Sequence, residues 1–185
     1  MIDKKLFLLS GVHGVGKGYF LKNILKDDSN YTILEASSLI RQYKDAEDAG
    51  YKMVKDVSDN QKVLLEALIK EKEQIKTDII LDGHLCILDK NGEIERIPEE
   101  FLLEASVQGI ILLQDTVESI MKRQNLRDGV GLNEQTISRI QEDELRYCEL
   151  LKNKLNVPYT VISGECTYDQ FIKKLNQMLG DLYEY

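Results

Sequence analysis

The chain predicts a doubly wound α/β domain built on a five-stranded parallel sheet, and three features predict it. Five short runs are apolar on successive residues rather than on alternate ones, as strands buried on both faces require. Long amphipathic stretches separate them, which is the rhythm of strand and crossover helix. A glycine-rich segment ending in lysine, GVHGVGK, follows the first run directly.

In chain order the runs are LFLLS at 6–10, YTILE at 31–35, DIILD at 78–82, GIILLQ at 109–114 and YTVIS at 159–163, the last just after Pro158. Between the second and third, DNQKVLLEALIKEKEQI at 59–75 sets Val63, Leu64, Ala67, Leu68 and Glu71 at the i, i+3, i+4 spacing, with charges opposite. Residues 134–155 repeat Ile137, Ile140, Leu145, Cys148, Leu151 and Leu155, a longer helix of the same kind. Parallel neighbours joined in this way imply right-handed crossovers. One piece breaks the alternation. In LCILDKNGEIERIP at 85–98 the pair Asn91-Gly92 separates CIL from EIERI and predicts a small β-hairpin. It would lie beyond the C-terminal end of the third strand, where open α/β sheets bind ligands. No repeat or linker interrupts the chain, and one domain is expected over residues 1–185.

Composition narrows the functional classes. With 43% apolar residues a chain of this length buries one ordinary core. A formal charge of −8 argues against a nucleic-acid or anionic-membrane surface, because both need a positive field across a whole face. Any phosphate must then be held by a local site. Cys86, Cys148 and Cys166 are widely spaced and have no cluster of histidines beside them, which fits a reducing compartment and no structural zinc. The apolar run near the N-terminus is shorter than the roughly 7–15 residues of a signal-peptide core. No later stretch approaches the roughly 20 residues of a membrane span. The expectation is a soluble, cytoplasmic protein.

Gly11, Gly14, Gly16 and Lys17 form G-x-x-G-x-G-K between a strand and the amphipathic YFLKNILK. Glycines let consecutive backbone N–H groups turn toward phosphate oxygens, the helix N-terminus adds positive potential, and the lysine reaches the terminal phosphates. The loop therefore predicts a nucleotide site, with His13, Val15, Gly18 and Tyr19 among its contacts. A hydroxyl residue normally follows the lysine to touch Mg²⁺, but Gly18 and Tyr19 stand there. The metal must be held through water and by another carboxylate. Tyr19 is expected to pack at the start of the helix, and the terminal DLYEY reads as a solvated tail. The segment DTVE at 115–118 reads as a helix cap, Asp115 closed by Glu118.

GVHGVGKG resembles the loop of adenylate kinases and other nucleoside monophosphate kinases, which commonly carry proline where His13 stands. IILDGHLCILDKNGEIERIPEEFL is similar to the third-strand and hairpin segment of archaeal-type adenylate kinases, and the likeness extends through QDTVESIMKRQNLRD. Matching features run from about residue 4 to 163. The resemblance implies a P-loop NTPase fold of the nucleoside monophosphate kinase kind. It carries an acceptor-binding helical insert at about 36–76, a hairpin at about 85–97 and a short lid at about 123–134. It also implies ATP and Mg²⁺ as cofactors and nucleotides as substrates, and leaves oligomeric state open.

Carried onto this chain, EASSLIRQ makes Arg41 the residue for the acceptor monophosphate, with Ser37 nearby; Ser37 and Ser38 stand where the commoner pattern has Gly-Asp. Asp82 would hold Mg²⁺ through water, and His84 would face the acceptor. Arg123 and Arg127, four apart, would close over the transferring phosphoryl group, and Arg139 is a further candidate for the same cleft. The expected activity is Mg²⁺-dependent transfer of the ATP γ-phosphoryl group to a nucleoside monophosphate, AMP first. Two other readings stay open: a kinase for a different small-molecule acceptor, and an ATP-binding or hydrolysing switch acting on a protein partner. Gly18-Tyr19 leans slightly toward the switch, and the set of arginines leans against it.

Overall fold

A computed structural model describes residues 4–25, 28–48, 57–128 and 131–180; the side chains of 45–48, 57, 58, 127 and 128 lie outside the described set. All five apolar runs are strands of one parallel sheet: β1 Leu6–Ser10, β2 Tyr31–Glu35, β3 Asp78–Asp82, and further along the chain β6 Val107–Gln114 and β7 Tyr159–Ser163. The small strands β4 Cys86–Leu88 and β5 Ile94–Arg96 form a separate antiparallel hairpin. The helices are α1 Lys17–Ile24, α2 Ala36–Asp48, α3 Val57–Gln74, α4 Glu99–Glu104, α5 Val117–Asp128, α6 Glu134–Leu155 and α7 Tyr168–Gly180.

The sheet order is β2-β3-β1-β6-β7, so β1 is central, with β3 on one side and β6 on the other. Every residue of β1 is buried, as are Ile79–Leu81 of β3 and Gly109–Leu113 of β6. That is why these runs do not alternate: both faces are covered. On one face α1 and α7 meet where Phe20 and Phe171 pack edge to face, 5.3 Å between centroids. Side chains alternate along β1, so Ser10 projects to the other face, where α6 lies. The chain leaves β1 toward β2 and leaves β3 toward β6, crossing β1. The carboxyl ends of β1 and β3 therefore border a topological switch point, and the glycine loop occupies it.

Three local details differ from the sequence reading. The hairpin turn is longer than Asn91-Gly92: Asp89 N–H bonds to Glu93 O at 2.8 Å, and the Asp89 carboxylate accepts the Asn91 and Glu93 N–H groups, both at 2.8 Å. An aspartate organises five residues here, with Gly92 in the left-handed region at φ 78°. The cap of α5 falls one residue later than DTVE suggests. Thr116 Oγ1 accepts from Ser119 N at 3.2 Å, which leaves Glu118 outside any capping box and frees Asp115 for another task. Helix α4 was not anticipated; its single turn and a half seats Phe101 and Leu102 in the core.

The hairpin is fastened to α6. Arg96 makes a two-pronged pair with Asp143, Nε to Oδ2 at 2.8 Å and Nη2 to Oδ1 at 2.7 Å, and lies over the Tyr147 ring. Tyr147 donates its hydroxyl to Ile97 O at 2.6 Å. Among the described residues no helix is long and apolar enough to cross a membrane. The tail at 181–185 lies outside the described residues.

Candidate functional site

The sharp exit from β1 needs glycine. Gly11 has φ 154°, and a Cβ there would sit 2.5 Å from Leu113 O, a backbone atom that cannot give way. Gly14 has φ 84°, and a Cβ would meet Gln124 Cγ at 2.7 Å. The loop then turns at Gly16 into α1, whose N-terminus carries no side-chain cap, so its first N–H groups remain available to an anion. A cavity of about 400 Å³ opens in front of this loop, lined on one side by residues 12–19 and on the other by Glu35–Ser37 and Asp82–His84.

Lys17 sits at its centre and is only 9% exposed. Its Nζ donates to Gly11 O at 3.2 Å, lies 3.2 and 3.4 Å from the two ring nitrogens of His84, and is 3.6 Å from Asp82 Oδ1. All of these contacts are long for a charged donor. The lysine is therefore held in place yet has no short partner in this constellation. Burial pushes its pKa down, opposed by Asp82. Burial pushes the Asp82 carboxyl up, opposed by Lys17. For His84, burial and then the Lys17 charge lower the pKa to about 3, so the ring is neutral at physiological pH.

On the far side of the loop, α5 holds the loop carbonyls. Arg123 Nε donates to Gly14 O at 2.9 Å and Nη2 to Val15 O at 3.2 Å, while Asp115 Oδ2 takes Nη2 at 2.6 Å. Asp115 is itself pinned by Gln141, which bonds both its N–H and its C=O. Gln124 Nε2 donates to His13 O at 2.6 Å and its Oε1 accepts Leu132 N–H at 2.8 Å. Turning these carbonyls back toward Arg123 and Gln124 favours amides aimed to the front, apart from Val15 N–H, which donates to Val12 O at 3.0 Å. The sequence alone did not point to Gln124 or Asp115 for this work. The signal was available in retrospect only as two polar residues at the bend into and along α5.

The predicted residues divide as follows. Gly11, His13, Gly14, Val15, Gly16, Lys17, Gly18 and Tyr19 lie together on the loop and the start of α1, and Asp82 and His84 face Lys17 across the cavity. Tyr19 does not pack: it is 66% exposed at the cavity rim, because the core side of α1 is taken by Phe20 and Leu21. Arg123 reaches the cavity with its guanidinium engaged as above. Ser37 lines the opposite wall; Arg41 follows one turn later on α2, exposed and outside the cavity lining. Arg139 is turned to the hairpin, 3.8 Å from Glu93 on the outer surface, and is not among the cavity residues. The Arg127 side chain lies outside the described residues.

No group of three or more His, Cys, Asp or Glu among the described residues makes a metal cage. The donor set beside the loop is one carboxylate, Asp82, with Glu35 close enough to act on its pKa. That suits a hydrated Mg²⁺, which takes phosphate and water for most of its ligands and needs only a carboxylate or two from protein. Gly18 has open space around its Cα, so the position lacks the hydroxyl but is not blocked.

A second cavity of about 520 Å³ adjoins the first and shares Val12, His13, His84 and Gln124 with it. Its remaining wall is Cys86–Leu88 of the hairpin, Gly131, Leu132 and Ile140.

A glycine loop of this form at the switch point of a 2-3-1-6-7 parallel sheet defines a P-loop protein with a kinase-like fold. The chain belongs to the AAA domain family, which it matches over residues 10–141. An adenylate kinase of Campylobacter curvus (strain 525.92) is 24% identical over 193 residues, covering 97% of this chain and 100% of that protein. Among solved structures, the Deinococcus radiodurans tunicamycin resistance protein superposes with a TM-score of 0.60 at 15% identity, covering 98% of this chain and 96% of that one. A gluconokinase from Sinorhizobium meliloti 1021 superposes with a TM-score of 0.51 at 14% identity, covering 97% and 94%.

Proposed function

We propose that the protein is a phosphotransferase that moves the γ-phosphoryl group of ATP to a nucleoside monophosphate, with AMP the first acceptor. The observation that carries this reading is the buried Lys17 at the mouth of the glycine loop, flanked by Asp82 and His84 and held by no short hydrogen bond among them. The full-length similarity to an adenylate kinase and the archaeal-type resemblance of the 79–102 segment support the acceptor class.

In this mechanism the loop amides and the α1 N-terminus take the donor phosphates, and Lys17 leaves Gly11 O to pair with the transferring group. The acceptor phosphate oxygen attacks the γ-phosphorus as the bond to the β–γ bridging oxygen breaks, leaving ADP. A phosphate acceptor is already an anion, so no general base is required, and a neutral His84 fits a positioning role. Arg123, by fixing the Gly14 and Val15 carbonyls, keeps the amides aimed forward without reorganisation at the moment of reaction. Arg41 and Ser37 would receive the acceptor. Asp82, with Glu35 behind it, would hold Mg²⁺ through water; the ion supplies charge neutralisation along the phosphates when bound.

The second cavity favours a different acceptor. None of the described residues lining it is a lysine or arginine, and both ends of Gln124 are already bonded. A small molecule with an apolar body and one hydroxyl would suit it better than a phosphate. A coupled assay of ATP consumption with each common monophosphate, and with a panel of alcohols and sugars, separates the two readings when run on wild type, Lys17→Ala and Arg41→Ala. Monophosphate-dependent turnover lost in both variants supports the first reading. Saturation by an alcohol with AMP inert replaces it, and ATP hydrolysis indifferent to every acceptor discards both in favour of a switch.

A further inference from the structure

Below the loop, on the face opposite α1, helix α6 carries a glutamate into the interior. Glu144 is fully buried. Ser10 Oγ donates to its Oε1 at 2.6 Å, and the same Ser10 Oγ accepts Leu85 N–H at 2.7 Å. The other carboxyl oxygen, Oε2, is buried with no hydrogen-bond partner. Such a group is costly as an anion: it gives up hydration, and its one close side-chain partner is a neutral hydroxyl. Simple packing does not explain it, since an apolar side chain would fill the same volume without that cost.

Its position does. Ser10 ends β1, and the next residue, Gly11, supplies the carbonyl that holds Lys17 Nζ. Leu85 follows His84, whose ring touches the same Nζ. The chain Leu85 N–H to Ser10 Oγ–H to Glu144 therefore joins the two segments that fix Lys17 from opposite sides. We propose that Glu144 is a positioning residue of the phosphate site, holding Ser10 and the His84–Leu85 turn together as an uncharged acid, and that phosphate binding and a negative charge on Glu144 oppose each other. The proposal rests on the phosphate-binding reading of the loop.

The surroundings agree. Burial holds the Glu144 pKa up to about 7, against the pull of Ser10, Lys17 and the Leu85 and Gly11 amides. Among the described residues, the titratable groups facing it are Lys17 from α1, the Cys86 thiol from β4 and the Cys148 thiol of its own helix, with Asp143 beside it committed to Arg96. Burial alone is the largest influence on the two thiols and pushes both up, so they stay neutral. Among the described residues, Lys17 is the cation that acts on Glu144, and an arriving phosphate competes for it.

The test is calorimetric binding of the Mg²⁺ complex of the β,γ-imido analogue of ATP at pH 6 and pH 8, in buffers of different ionisation heat. Wild type should bind about tenfold more weakly at pH 8 and take up roughly half a proton near neutrality. Glu144→Gln, which keeps the shape and the acceptor for Ser10, should retain the pH 6 affinity at both pH values and lack that uptake. A Glu144→Gln profile that slopes like wild type overturns the proposal. Should that variant fail to fold, Ser10→Ala is measured instead. Several-fold weaker binding at both pH values supports the clamp, and unchanged affinity overturns it. If wild type and Lys17→Ala bind the analogue equally poorly at both pH values, the phosphate-binding reading itself has failed, and the proposal falls with it.

Discussion

The two walls of the central cavity are made in different ways. On the loop wall the carbonyls of His13, Gly14 and Val15 are each bonded to an α5 side chain, Val12 and Val15 are buried, and Lys17 is nearly so. On the α2 wall Glu35 and Ser37 are exposed, and the bond from Ser38 to Glu35 stays within the wall. The first wall is finished before any ligand arrives. The second is left for a ligand to complete. Donor phosphate is the same in every reaction of this kind and rewards preorganisation, whereas the acceptor differs and is recognised by side chains that stay accessible.

Removing Lys17 should divide the walls most sharply. Lys17→Ala should lower ATP-dependent turnover by about 10²-fold or more while leaving the fold intact by circular dichroism. A variant that keeps a tenth of the activity would show that the lysine is not the donor contact. Next, Gly11→Ala should cost about 2–3 kcal/mol, seen as a lower Tm, because its Cβ meets the Leu113 carbonyl in a left-handed backbone. Gly18→Ala, in open space, should stay within about 0.5 kcal/mol. Equal effects would mean that the loop wall is less rigid than it looks. Arg41→Ala should raise the acceptor KM about tenfold with the ATP KM unchanged, which a steady-state matrix of both substrates reads directly. A shift in the ATP KM instead would place Arg41 with the donor.

A further effect concerns pH. His84 has its folded pKa depressed to about 3, so between there and the ordinary value near 6.5 the unfolded chain binds a proton that the folded one refuses. Stability is then full above about pH 6.5 and declines as the pH falls toward 3. His84→Asn should lose roughly 1–2 kcal/mol less than wild type between pH 7 and pH 4 in denaturant titrations, allowing for partial solvent screening. Parallel curves would show that the ring is not shielded in its place beside Lys17.

The strands were legible in the sequence because burial on both faces writes itself as unbroken apolar runs, and the glycine loop because its backbone tolerates nothing else. The hairpin is legible as an interruption marked by Asn91-Gly92, while the part Asp89 plays in organising its turn is not. The supports behind the loop were hidden. Asp115 reads as a cap because Asp-Thr-Val-Glu fits that pattern, yet in the fold Thr116 caps while Asp115 turns to Arg123. Glu144 is a different case. It falls on the buried stripe of α6, four residues after Ile140 and four before Cys148, so the helical spacing does turn it inward; its charge makes it read as a break in the apolar pattern, and its bond to Ser10 across the sheet has no signature in the sequence.

The three thiols, all buried and unpaired, give the protein a built-in reporter. Cys86 forms part of the second cavity wall, and its sulfur donates to Asp143 at 3.6 Å, while burial and nearby carboxylates hold it in the unreactive thiol form. Alkylation at Cys86 therefore reports on access to that wall. The rate at which iodoacetamide labels it, followed by mass spectrometry, measures that access without any engineered probe, and a compound that fills the cavity should slow the label before its identity is known.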